Sequence, residues 1–281
     1  MSKLVAALPM YDWPEVHGEV DAQWAQLRDA FRQRGIDAPK KMARSNRDLP
    51  PVPDGIRDDA GRLIAPDPAT LPPDEFDFHQ LWLSPALLFG QTCWGPMGLG
   101  LAAHVQVIAQ PSYDEFEGGQ GELYSSALVM LADGGPSVTS PEDGKAVIPL
   151  DLVRGKRFIF NNPDSMSGLL GLTHDLEAIG ETLDIFASRS ESGGHRSSIV
   201  AIAEGRADVA AIDCQSWALA QRFEPAAKHV KVVGWTARRK GLPFITARIT
   251  SANVVASMRE VIAELGLEGS VAKQPFVERI G

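Results

Sequence analysis

Two short polar turns place serines, a histidine and an aspartate where side chains could hold an anion or move a proton. The first turn carries Ser165, Met166, Ser167 and Gly168. The second runs through two glycines into His195 and Arg196, and Asp213 closes the next apolar run. A helix beginning just after such a turn presents unpaired backbone N–H groups and a positive dipole end, which together suit an anion. His195 and Asp213 could also serve as acid or base, and Cys93 or Cys214 as nucleophile. No Gly-x-Ser-x-Gly elbow, Walker loop, dinucleotide fingerprint or His-Glu-x-x-His motif is present. That weighs against an enzyme without excluding one.

Each of these residues also has a plain structural role. Ser165 or Ser167 can cap the following helix, an effect of about 1 kcal/mol. His195 can be a polar helix-start residue and Arg196 a solvated cation. Asp213 can cap the helix around Trp217. Tyr11 and Tyr124 offer apolar area with one hydrogen bond, which suits a cleft wall. Gln91 and Thr92 offer neutral donors. The two cysteines fit neither a disulfide framework nor a zinc pattern and read as small buried hydrophobes. No catalytic residue, metal site or cofactor is assigned.

The elements that must position these groups follow from apolar periodicity. Residues 158–213 read as two successive strand–turn–helix units, the first opening at Phe158 and the second at Leu183, with helices over 169–179 and 196–204 and a strand over 208–213. Residues 4–8 form a first strand. A helix with Val20, Trp24, Leu27 and Phe31 on one face follows and closes at Gly35. Residues 36–43 read as a second strand or its approach. Residues 49–75 hold seven prolines and many acids, and read as a surface insertion. Further strands are expected over 86–89, 104–109, 124–131, 230–235 and 243–249. Helices are expected over 76–83, 149–156, 217–223 and 253–265.

Strands alternating with helices imply parallel sheets covered on both faces. Ligands in such folds sit outside the carboxyl ends of the strands. That rule gathers Tyr11 and Asp12, Gln91 and Thr92, Ser165 and Ser167, His195, and Asp213 at equivalent strand ends.

A chain of 281 residues can bury a sizeable core, and 44% apolar with 22% charged residues is an ordinary globular balance. The net charge of −9 and the lack of a Lys/Arg cluster argue against nucleic acid. No apolar run approaches a membrane span, so direct membrane insertion is not expected. No signal peptide is visible, so the expected location is periplasmic if a leader has been removed and otherwise cytoplasmic.

Four stretches carry a family resemblance. They are Gly90-Gln-Thr-Cys, Tyr124-x-Ser126, Phe160-Asn-x-Pro-x-Ser-x-Ser-Gly168, and the segment from Gly194-His-Arg through Glu-Gly-Arg-Ala-Asp-Val-Ala-Ala-Ile-Asp213. Together they resemble the substrate-binding proteins of phosphate/phosphonate ABC transporters, from residue 4 to about 267 outside the proline-rich insertion. The resemblance implies an α/β, two-lobed type II periplasmic-binding-protein-like fold with two crossover strands and an interlobe cleft. Lobe 1 would comprise 1–124 and 237–281, and lobe 2 residues 125–236. The crossovers would lie at 124–128 and 232–243.

The implied function is solute binding of a small oxyanion-bearing, phosphate- or phosphonate-like ligand, with cleft closure, no chemistry, and an ABC permease as candidate partner. The implied ligand set is Ser165, Met166, Ser167, Gly168, His195, Arg196 and Asp213 with Tyr11, Gln91, Thr92 and Tyr124. Met166 and the neighbouring Asp164 make the turn less plainly phosphate-selective. The same scaffold also serves thiamine-pyrimidine and menaquinone-pathway enzymes and ligand-sensing modules, which are the alternatives.

Overall fold

A computed structural model describes residues 4–267. The chain divides into two compact units, Met1–Pro111 with Leu242–Gly281, and Ser112–Gly241.

Unit 1 is built on a four-stranded sheet in the order Val5–Ala7, Leu87–Gln91, Phe244–Ala247, Val105–Ala109. Alternate residues face opposite sides of a strand. Phe244 therefore joins one core while Ile245 joins the other. The first core packs the sheet against the long helices His17–Gln33 and Ala252–Glu264. Trp24, Phe31 and Phe244 all contact Phe89 there, with ring centroids 6.1, 5.6 and 5.1 Å away. Such aromatic pairs contribute about 0.5–1.5 kcal/mol each beyond buried area. The second core packs the opposite face against the helix Phe78–Leu83 through Leu81 and Trp82.

Residues 36–43 are irregular rather than a strand. The carbonyls of Ala38 and Pro39 accept from Arg32 and from Trp24 Nε1, both on the long helix, so no sheet partner takes them. Only Ala43 reaches the first strand, donating its N–H to Ala6 O at 2.8 Å. The proline-rich insertion contains a small hairpin, Ile56–Arg57 with Leu63–Ala65.

Unit 2 carries a five-stranded sheet in the order Ser188–Glu191, Arg157–Phe160, Val209–Asp213, Ser126–Leu131, Val230–Trp235. The first three strands are parallel. One core lies between this sheet and the Gly171–Ala178 helix and includes Phe158, Leu172, Leu176 and Phe186. Phe158 and Phe186 stack at 4.7 Å.

Three expectations meet a different structure. The sheets are mixed, because Phe244–Ala247 and Ser126–Leu131 run antiparallel to their neighbours. Phe244–Ala247 follows closely after the chain leaves the other unit, and Ser126–Leu131 follows a short hairpin, so neither has the crossover helix a parallel strand needs. The strand of the second strand–turn–helix unit is Ser188–Glu191, while Leu183–Ile185 forms a 3₁₀ turn. The strand lies at the sheet edge with all four residues exposed, so it lacks an apolar run to mark it. Unit 2 also takes in 112–124 and 237–241. The strands Gly119–Gln120, Leu123–Tyr124 and Arg239–Lys240 pair only with one another, which moves both boundaries outward from 124 and 237.

Candidate functional site

The parallel part of the unit 2 sheet aims three carboxyl ends the same way. Phe160, Glu191 and Asp213 each end a strand there, and each is followed by a turn or helix start. The turns are tied together by backbone bonds, from Ser192 N–H to Phe160 O and Gly193 N–H to Asn161 O, both 2.8 Å. Gly193 has φ +79°, a left-handed conformation that glycine adopts without steric cost. Ser192 Oγ lies 2.7 Å from Ser198 Oγ, fixing the start of the His195–Ala203 helix.

The first turn enters its helix through Ser165, whose Oγ accepts the Gly168 N–H at 3.0 Å. The opening turn, Met166–Leu170, is π-helical, with Leu170 N–H bonding back five residues to Ser165 O at 3.0 Å. Single π turns occur frequently at functional sites. The Ser167 N–H finds no acceptor among the described residues. Gly168 is required by space rather than by φ: a Cβ there would overlap Asn161 Oδ1.

Ser167 Oγ lies 3.3 Å from Ser165 Oγ and 2.9 Å from His195 Nε2. The same Nε2 lies 3.2 Å from Asp213 Oδ2. Asp213 Oδ1 accepts the Ser216 N–H at 2.9 Å, capping the Cys214–Phe223 helix. Both roles weighed for Asp213 therefore draw on its carboxylate, the cap directly and the site through His195. Burial pushes the His195 ring below its ordinary pKa, while Asp213 and the Ala211 carbonyl oppose that shift.

The Ser167 Oγ–His195 Nε2 hydrogen bond runs in the direction the ring's tautomer sets, and Asp213 Oδ2 lies beside the same nitrogen. In either tautomer the two serines hold two hydroxyl protons between them. One serine proton can be used within this group, and the other remains for a further acceptor. With the Ser167 N–H, that makes at least two neutral donors at a helix start.

Ser165, Ser167, Gly168, His195 and Asp213 are thus brought together. Met166 stands in the same turn and is half-buried. Arg196 is not brought to them: its Nε pairs with Glu224 at 2.7 Å, beside an outward groove of about 430 Å³ that Ile159, Ser197 and Val200 help to line. Tyr124 is buried against Tyr113 at 5.3 Å in the small three-stranded sheet. Cys214 is a buried thiol pushed well up by burial and by Asp213, and Cys93 is a buried thiol of unit 1. Asn161, at the first position past its strand, belongs to the group but was absent from the expected ligand set. The strand-end rule that selected its neighbours covers it equally.

In unit 1, Tyr11 is buried just after the first strand. Asp12 is held by Arg44 through two bonds of 2.5 and 3.0 Å. Gln91 O accepts from Trp82 Nε1 at 2.9 Å, and Gln91 Nε2 reaches Leu242 O at 3.5 Å. The Thr92 hydroxyl is buried with no hydrogen-bond partner among the described residues, although its N–H donates to Pro243 O at 3.1 Å. Among the described residues, no cluster of His, Cys, Asp or Glu is placed to hold a metal, and no helix is long and apolar enough to cross a membrane.

Two α/β units with polar groups at strand ends define a protein of the type II periplasmic-binding-protein fold. Residues 98–276 match the family model described as "ABC transporter, phosphonate, periplasmic substrate-binding protein", and the chain belongs to that family. Among solved structures it is similar to PhnD1 from Prochlorococcus marinus (MIT 9301) in complex with methylphosphonate. That match has 19% identity and a TM-score of 0.50, covering 64% of this chain and 65% of that one. It is also similar to a binding-protein component of an ABC phosphonate transporter from Pseudomonas aeruginosa. The identity is 15% and the TM-score 0.55, with 95% of this chain and 80% of that one covered. A Xanthomonas citri protein bound to ATP is similar at 14% identity and TM-score 0.56, covering 94% of this chain and 83% of that one. No curated protein matches significantly in sequence.

Proposed function

We propose that the chain captures a small phosphonate- or phosphate-like oxyanion without transforming it and delivers it to an ABC permease, acting in the periplasm. The observation that carries this reading is the set of neutral donors at the start of the 166–178 helical segment: the Ser167 N–H, the spare serine O–H and the dipole end. His195 Nε2 lies 2.9 Å from Ser167 Oγ, and Asp213 Oδ2 lies 3.2 Å from the same nitrogen. Within unit 1, Tyr11, Gln91 and Thr92, whose buried hydroxyl has no hydrogen-bond partner among the described residues, are likewise kept as proposed ligand contacts. Tyr124 and Met166 are retained as proposed contacts for the non-anionic part of the ligand.

Titration calorimetry against methylphosphonate, phosphate and phosphite tests the reading, with ATP included because one similar protein is bound to it. At least one oxyanion is expected to bind, and Ser167→Ala should weaken it by about tenfold, the equivalent of one charge-assisted hydrogen bond. If no oxyanion binds, or Ser167→Ala leaves every affinity unchanged, the reading fails.

A further inference from the structure

Resting on the oxyanion reading, we propose that Gln110 is a further ligand-binding residue, which offers an oxygen of the ligand the two N–H groups of its side-chain amide from unit 1. Leu87–Gln91 and Val105–Ala109 both run antiparallel to Phe244–Ala247, which lies between them, so their carboxyl ends point the same way. Thr92 is the first residue past one of these ends and Gln110 the first past the other. Each carries a buried polar atom with no hydrogen-bond partner among the described residues, the Thr92 hydroxyl and Gln110 Nε2. The other such atoms in unit 1, on Glu19, Gln23 and Gln80, belong to helices. Buried polar groups are seldom left unpaired, because the water they lose is not replaced.

The orientation of the Gln110 amide follows from its bond to Trp94, whose Nε1 lies 3.4 Å from Gln110 Oε1. An indole N–H only donates, so the amide oxygen must face it and the NH2 group is the end left over. The same bond ties Gln110 to the turn that carries Thr92, since Trp94 opens the short helix Trp94–Gly98 two residues past it. The amide of Gln91, before that turn, differs: its Nε2 reaches Leu242 O at 3.5 Å. An amide NH2 has no lone pair to offer, so the atom that completes it is an acceptor. At the strand ends where α/β units take ligands, that acceptor is an oxygen of the ligand. Unit 1 thereby reads the ligand's oxygens with neutral donors, as the serine turn does. An ammonium group placed at Gln110 Nε2 would find no acceptor.

Titration calorimetry with methylphosphonate, phosphate and phosphite compares the unmutated protein with two variants. Gln110→Met keeps the length of the side chain and removes both N–H groups, and should weaken whichever oxyanion binds by about tenfold. Gln110→Glu keeps an oxygen for Trp94 Nε1 but sets a second oxygen where the N–H groups were, and should weaken binding further. A residue that only held Trp94 in place would leave Gln110→Glu silent. In the unmutated protein, the Gln110 side-chain NH2 resonances, identified by their loss in Gln110→Glu, should shift when the same oxyanion is added. Unchanged affinity in Gln110→Glu, or NH2 resonances that stay in place while the oxyanion binds, overturns the inference and leaves the oxyanion reading standing. Absence of binding by the unmutated protein sinks both.

Discussion

His195 Nε2 lies 3.2 Å from Asp213 Oδ2, and the same nitrogen is the one that meets Ser167. In a serine nucleophile's relay the base uses one ring nitrogen for the hydroxyl and the other for the carboxylate. Here Asp213 lies beside the same nitrogen that meets Ser167, so it does not orient the ring through the other nitrogen as that relay requires. A serine-reactive fluorophosphonate probe should label Ser167 no faster than it labels a surface serine, as read by mass spectrometry of the native protein. Rapid labelling that heat denaturation abolishes would restore the enzyme reading.

The buried His195 ring also sets an acid limb of stability. Burial holds its folded pKa below the ordinary 6.5, against the partial compensation from Asp213. The unfolded chain therefore takes up the proton first as pH falls. Stability from this group is full above about pH 6.5 and declines below it. Thermal unfolding of the ligand-free protein should show Tm dropping through that window, and His195→Gln should flatten the drop. An unchanged limb in the variant would assign the effect elsewhere.

Much of this arrangement was legible in the sequence because strand ends are marked by where apolar runs stop. The runs ending at Phe160 and Asp213 are buried and read clearly, so Ser165, Ser167 and Asp213 could be placed in one row. The Ser188–Glu191 strand could not, since an exposed edge strand has no need of apolar side chains. Residues 36–43 read as a strand or its approach, and Ile36, Ala38 and Ala43 are buried, yet the neighbouring carbonyls are taken by side chains of the preceding helix. The direction of Arg196 was equally illegible. Its partner Glu224 lies 28 residues away, and nothing local distinguishes an arginine that faces a ligand from one that faces a distant glutamate.

Gly168 is predicted to tolerate no side chain while Asn161 stands opposite. A Cβ would overlap Asn161 Oδ1 and lie 3.3 Å from Ser165 Oγ. Gly168→Ala should cost about 1–3 kcal/mol, as overpacking does, and displace the serine turn. Asn161 Oδ1 is buried without a hydrogen-bond partner among the described residues, so Asn161→Ala removes the obstacle without breaking a bond to that oxygen. The double variant should recover most of the lost stability in urea unfolding, a coupling that independent sites would not show. Additive losses would mean the turn fails for another reason.

Asp175 anchors the helix that carries the serine turn. Its Oδ1 takes Arg239 Nη2 at 2.7 Å and its Oδ2 takes the Ala237 N–H at 2.9 Å. The carboxylate is 8% exposed and the guanidinium 18%, so neither is well solvated if its partner is lost. Arg239 Nη1 already lacks a hydrogen bond among the described residues, and Gly171 leaves room for it, since a Cβ at Gly171 would overlap that nitrogen. Asp175→Ala strands the arginine and should destabilise unit 2 by about 2–4 kcal/mol, toward the lower end for a buried pair because Arg239 retains some water. Replacing both, Asp175→Leu with Arg239→Met, removes the stranded charge and should regain at least half of that loss. Urea unfolding of the two single variants and the double variant measures the difference. A double variant no more stable than Asp175→Ala would show that the Ala237 N–H bond, rather than the ion pair, holds the helix in place.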